Sequence, residues 1–225
     1  MKILATYIGI FLLFCSCSVT NQDIPEAALR KRSVNILILG NSVLWHPASE
    51  SLGWYGDWGM AASSAENDFL HLYSSILKSD PRLSNVQITA RNISTWENTM
   101  QLDQNLVQEL TENYFDVIII RLGENVSNTS NYTTQLQSLI DNFRLRNTEV
   151  IITGTIWKNN FVESTHKNLA AKKNYKYVSF NSFRSSSRNF SFGKFANSAV
   201  AAHPSDQGMN EIATLLAQAT FELIK

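Results

Sequence analysis

Past residue 17 the chain has no cysteine: its two, Cys15 and Cys17, both lie at the amino terminus. A disulfide framework is therefore excluded for the rest of the chain, and the 225 residues must fold on a packed core of their own. Net charge is also lacking. Nineteen Lys and Arg balance nineteen Asp and Glu, and the basic residues are scattered, which argues against a nucleic-acid surface. No apolar run is long enough to cross a bilayer comfortably; Ile3 to Phe14 comes nearest. No set of His, Asp or Glu shows metal-ligand spacing, and no cofactor is called for. No internal repeat or second domain is evident. What remains is ordinary globular composition, 44% hydrophobic and 17% charged, sized for one domain.

The first segment reads as targeting rather than fold. Lys2 precedes the Ile3–Phe14 run, which fits a signal h-region. The run ends in Leu13-Phe14-Cys15-Ser16-Cys17, and a small residue before a cysteine looks like a bacterial lipobox. On that reading residues 1–17 are a lipoprotein signal peptide and Cys17 is the lipidated residue. Residues 18–32 are a polar tether, and residues 33–225 are the folded domain. The only membrane contact expected is the lipid anchor, in a bacterial cell envelope; plain secretion is the alternative.

Beyond the tether, short apolar runs alternate with amphipathic stretches. Strands are expected at Val34–Leu39, Val86–Ala90, Phe115–Ile120, Val150–Thr153 and Tyr177–Phe180. Helices are expected at Trp58–Leu77, Trp96–Leu110, Tyr132–Phe143, Phe161–Asn174 and Met209–Leu223. This alternation predicts an α/β fold whose parallel sheet is covered by helices on both faces. Right-handed crossovers favour a doubly wound, flavodoxin-like strand order, 2-1-3-4-5. Asn181–Ala199 has no clear period and is long for a loop, so it is functional or a small ordered excursion.

Three features fall where such a sheet would gather them. Gly40-Asn41-Ser42 follows the first strand, Gly123-Glu124-Asn125 follows the third, and His203-Pro204 precedes the last helix. A serine nucleophile needs a base within hydrogen-bond reach and donors for a developing oxyanion. Ser42, His203 and Asn125 are the right residue types in the right topological places. Taken singly, each has a plainer reading: a turn serine, a histidine at a helix entry, a loop amide. His46 is a rival base. Trp45, Trp54, Tyr55 and Trp58 form an aromatic cluster near Ser42, either core packing or a platform for a sugar ring.

The combination resembles the SGNH (GDSL-type) hydrolases, esterases and lipases on a three-layer α/β/α fold. Gly40-Asn41-Ser42 matches the first block, with Asn for Asp. Gly123-Glu124-Asn125 matches the third, with Val126 where a final Asp is usual. His203-Pro204 matches the fifth, and Trp58-Gly59-Met60-Ala61-Ala62-Ser63 resembles a run in Bacteroidota members. The resemblance implies Ser42 as nucleophile and His203 as base. It implies an oxyanion hole from the N–H of Ser42, the side-chain amide of Asn125 and a second-block N–H, with Thr95 at the place of the usual glycine. Trp45, Trp58 and Glu124 are candidates for substrate contact. The expected partner is a small-molecule or glycan ester, with O-acetyl groups on carbohydrate foremost.

One element of the pattern is missing. Three residues before His203 the family has Asp, and this chain has Val200. Three outcomes stay open. A backbone carbonyl orients His203 in a Ser-His dyad; another carboxylate reaches in, Asp206 being nearest in sequence although it looks like a helix N-cap; or the protein is a catalytically silent carbohydrate-binding member of the same fold.

Overall fold

The computed structural model describes residues 31–224. The signal peptide, Cys17 and nearly all of the tether lie outside the described residues. Strand β1 runs Arg32–Gly40, so Arg32 belongs to the sheet rather than to the tether.

Along β1 the side chains alternate between two cores, as the pleat requires. Val34, Ile36 and Ile38 face one; Leu37 and Leu39 face the other. All five are fully buried. With each buried aliphatic side chain worth about 1.5–3 kcal/mol, this strand contributes substantially to both cores. The other strands are β2 (Leu83–Asn92), β3 (Val117–Arg121), β4 (Glu149–Thr153) and β5 (Lys176–Val178). All pairings are parallel, in the order β2-β1-β3-β4-β5.

Helices cover both faces. Helix α1 (Phe69–Ser79) and the carboxyl-terminal helix pack on the first core through Phe69, Tyr73 and Leu77 and through Met209, Ile212 and Leu216. On the second face lie α2 (Ser94–Thr99), α3 (Gln104–Thr111), α4 (Tyr132–Asp141) and α5 (Asn160–Lys173). They contribute Trp96, Leu110, Leu136, Ile140, Val162 and Leu169 to the second core. Two short helices, α6 (Asn181–Arg184) and α7 (Ser198–Ala201), precede α8 (Asp206–Leu223).

Most element ends shift by a few residues; two expected helices change more, and the irregular stretch takes a definite form. The Trp58–Leu77 helix begins only at Phe69, where Asp68 accepts the N–H of His71 as N-cap. The preceding stretch is held off the helical path by Ala61, whose φ is 73°. The Trp96–Leu110 helix is two helices: Met100 turns left-handed at φ 57°, and Asp103 caps the second. The irregular 181–199 stretch is an ordered excursion containing α6, a 3-10 turn at Ser187–Asn189 and the start of α7.

Candidate active site

The site lies where β1 and β3 end side by side, with Gly40 paired to Arg121 and, on the other flank, to Asn92 of β2. The pairing runs one step past the strand end, since the Ile93 N–H donates to the Gly40 carbonyl at 2.8 Å. Gly40 has no room for a side chain: a Cβ there would meet Leu44 Cβ at 2.8 Å. The chain then turns sharply, with Leu44 and Trp45 N–H groups donating to the Asn41 carbonyl. Ser42 is thereby presented, partly exposed, at the carboxyl edge of the sheet.

His203 arrives from the opposite end of the sequence. Its Nε2 lies 2.8 Å from Ser42 Oγ, and its Nδ1 lies 2.8 Å from the carbonyl oxygen of Ala199. A carbonyl only accepts, so Nδ1 carries the proton. That leaves the Nε2 lone pair for the Ser42 hydroxyl, the tautomer a general base needs. Burial lowers the pKa of His203 below its ordinary value, against the opposing pull of the Ala199 bond. The ring is thus neutral at neutral pH and able to take a proton.

The place of the missing acid is filled by a small apolar core. Val200, fully buried, packs with Trp54, Met60 and Ala61, and Leu52, Trp58 and Phe195 flank them. The 181–199 excursion clamps the same loop: Ser191 N–H donates to the His203 carbonyl (2.9 Å) and Ser205 N–H to the Asn189 carbonyl (2.9 Å). Trp157 closes the far side, with its ring edge-on to the imidazole at 5.2 Å and its Nε1–H on the Ala202 carbonyl at 3.0 Å. Asp206 does not reach the histidine. Its carboxylate takes the Ser63 N–H (2.8 Å) and hydroxyl (2.7 Å), and the N-cap of α8 is Ser205.

The other flank of Ser42 is polar. Asn125, exposed, follows Gly123, whose φ of 123° and crowding by Val162 and Thr155 admit only glycine. Its Nδ2 donates to Glu97 at 2.7 Å. Glu97 is fully buried in α2 and also accepts from the N–H of Gly123 at 2.5 Å. Asn41, fully buried, donates Nδ2 hydrogens toward Glu97 (3.2 and 3.3 Å) and Glu124 (2.8 Å). An aspartate at 41 would add a third carboxylate where only a donor can bridge two, so the Asn41 amide suits this position. Sequence reasoning missed Glu97 because a glutamate in a short amphipathic segment reads as solvent face. Its only signal was proximity, two residues past Thr95.

One of the substrate-contact residues inferred from sequence is reassigned. Glu124 does not face a substrate: its side chain is fully buried, pairs with Arg121 Nη1 at 2.6 Å and accepts the Ile156 N–H at 2.9 Å. Arg121 in turn lies over the Phe180 ring at 5.2 Å. Trp58 is half-buried. Its Nε1–H donates to the Ala62 carbonyl, and its ring meets Trp54 edge-on at 5.7 Å. Trp45 does stand open, 41% exposed, its carbonyl held by Asn92 Nδ2 at 2.7 Å. Thr95 is the second residue of α2, where helical N–H groups have no intrahelical partner. It lines a cleft of about 520 Å³ together with Asn92, Ile93 and Leu106. His46 turns its Nδ1 to the Pro47 carbonyl at 2.7 Å, and the imidazole that meets Ser42 Oγ is that of His203.

No family model matches the chain, and no curated protein matches it. Solved structures do. The protein named TesA superposes with a TM-score of 0.59 at 17% identity, over 84% of this chain and 99% of that one. A structure named for the G-D-S-L lipolytic family, from Desulfitobacterium hafniense, gives 0.51 at 12% identity, over 83% and 99%. One named as GDSL-like lipase, from Bacteroides uniformis, gives 0.50 at 13%, over 85% and 96%. With the five parallel strands in the order 2-1-3-4-5, the chain has the fold of the SGNH (GDSL-type) hydrolases.

Proposed function

We propose that the protein is a serine esterase working through a Ser42–His203 dyad, with O-acetyl esters of carbohydrate as the preferred substrate class. The observation that carries the reading is the relay Ser42 Oγ–His203 Nε2–His203 Nδ1–Ala199 O, 2.8 Å at each hydrogen bond. His203 removes the hydroxyl proton as Ser42 attacks the ester carbonyl. The tetrahedral oxyanion is met by the Ser42 N–H, the free Nδ2 hydrogen of Asn125 and the N–H of Thr95. The imidazolium then returns its proton to the departing alcohol, and water repeats the sequence on the acyl-enzyme. In this dyad the carbonyl of Ala199 does the orienting that a carboxylate does in a triad. It fixes the same tautomer but offers no full negative charge to the imidazolium.

The sugar reading rests on exposed Trp45 beside the nucleophile, a ring free to stack on a pyranose face. The lipid anchor at Cys17 rests on the amino-terminal sequence, and the mass of the mature amino-terminal peptide tests it.

The test compares wild type with Ser42→Ala on 4-nitrophenyl acetate and on acetylated xylo-oligosaccharides. Turnover by the variant should fall at least ~10³-fold, because the nucleophile itself is gone. Equal rates for the two proteins would end the esterase reading. Aryl-ester hydrolysis without acetate release from the oligosaccharide would end the carbohydrate reading alone.

A further inference from the structure

Glu97 takes no part in the dyad, yet it receives hydrogen bonds from both loops that build the site. Its Oε1 faces the Gly123 N–H at 2.5 Å and the Asn125 N–H at 3.3 Å; its Oε2 faces Asn125 Nδ2 at 2.7 Å. Asn41 Nδ2, one residue before the nucleophile, lies 3.3 and 3.2 Å from the two oxygens. Each of these partners is a donor, so the carboxylate form fits the cradle and a protonated acid would set O–H against N–H. We propose that Glu97 is the positioning residue of the oxyanion hole: it fixes the Asn125 amide plane and locks the oxyanion loop to the nucleophile loop through Asn41.

The inference rests on the esterase reading for its kinetic consequence, and its physical basis is the geometry of an amide. Asn125 is exposed, and the terminal torsion of an asparagine is broad and nearly two-fold. Left to water, that amide would present oxygen as readily as nitrogen to an acyl oxygen. With one Nδ2 hydrogen held by Glu97, the oxygen is turned away and the second hydrogen is fixed in the same plane. Glu97 does this by alignment rather than by charge, because a carboxylate beside an oxyanion repels it. Misalignment of a catalytic group by about 1 Å costs on the order of 10²-fold in rate.

Keeping a carboxylate here is costly. Burial and the charge of Glu124 push its pKa up, while the Gly123 and Asn125 donors pull it down. The charged and titratable groups around it are Glu124 with its partner Arg121 from β3, and Tyr132 from α4, whose hydroxyl donates to His166 of α5 at 2.6 Å. Acidification therefore removes the acceptor before it affects an ordinary surface glutamate, and it loosens Asn125.

Glu97→Gln is the decisive variant. It keeps the size but sets an NH₂ against donors, so it can hold only part of the cradle. Turnover on 4-nitrophenyl acetate should fall about 10- to 10²-fold with KM within about 2-fold, and Glu97→Asp should recover part of it. In ¹⁵N-labelled wild type, the side-chain NH₂ resonances of Asn125, assigned by their loss in Asn125→Asp, should shift as pH falls. In Glu97→Gln they should sit elsewhere and no longer titrate. Unchanged turnover in a folded Glu97→Gln, or Asn125 resonances indifferent to the substitution, would overturn the proposal. If Glu97→Gln does not fold, Glu97→Asp and the wild-type titration decide it in the same way. The resonance measurement needs no catalysis, so it judges the positioning role even where Ser42→Ala matches wild type and the esterase reading fails.

Discussion

The two flanks of Ser42 are built in opposite ways. On the side of the proposed oxyanion hole, Asn41, Glu97, Glu124 and Arg121 form a buried polar mesh that reaches out to exposed Asn125, and in it the Asn41 amide bridges two carboxylates. On the base side, His203 is set by an apolar plug around Val200 and by three backbone carbonyls: one accepts its ring, another the Trp157 indole, and its own takes Ser191. On the proposed mechanism the difference follows from what each flank must hold. An oxyanion donor must be fixed about a freely turning amide torsion, which takes hydrogen bonds of defined direction. An imidazole is a flat apolar body with two polar ends, and packing fixes its plane once each end has a partner.

If that contrast is right, the polar flank should fail in rate and the apolar flank in stability. Asn125→Ala removes a proposed oxyanion donor and should lower kcat by about 10²–10³-fold with the melting temperature little changed. A comparable rise in KM with kcat unchanged would mean that Asn125 binds ground-state substrate. Val200→Asp supplies the acid that the resemblance to SGNH hydrolases leads one to expect here, yet puts a carboxylate into the Trp54–Met60–Ala61 plug. It should destabilise the fold by on the order of 3–5 kcal/mol in urea unfolding and give no gain in kcat. A faster, equally stable Val200→Asp would show that the plug is an open acid site. The smallest effect is expected at the rim. Trp45→Ala should raise KM for an acetylated oligosaccharide several-fold and leave kcat within about 2-fold, as for an exposed stacking contact worth ~1 kcal/mol. Equal KM values would remove Trp45 as a platform.

The pH dependence separates the flanks as well. The proposed dyad needs neutral His203, so its activity should fall as pH drops through a pKa that lies below the ordinary histidine value. The same group contributes stability that is present above its unfolded pKa and lost as pH falls through the folded one. Glu97 has the opposite sign: its folded pKa is raised, so its contribution to stability is present in acid and declines as pH rises through that value.

The sheet was legible in the sequence because β-branched and aliphatic runs separated by amphipathic stretches leave few topologies open. Ser42, Asn125 and His203 were legible as residue types at strand ends and at a helix entry. What escaped was of three kinds. Met100 and Ala61 adopt positive φ without being residues that signal it, so the sequence pattern runs on past the true limits of two helices. Glu97 and Glu124 look like surface charges until the fold buries them against Asn41 and Arg121. The acceptor for His203 could not be singled out, because a backbone carbonyl has no letter of its own.

That last feature bears on how such a site withstands mutation. A triad's acid can be lost by a single base change in its codon. The carbonyl of Ala199 is supplied by whatever residue stands there, so no change of side chain deletes the atom that His203 leans on. Position 200, freed from supplying an acid, is open to selection for packing alone. In the proposed dyad, part of the catalytic apparatus has passed from the inherited alphabet of side chains to the backbone that every variant shares.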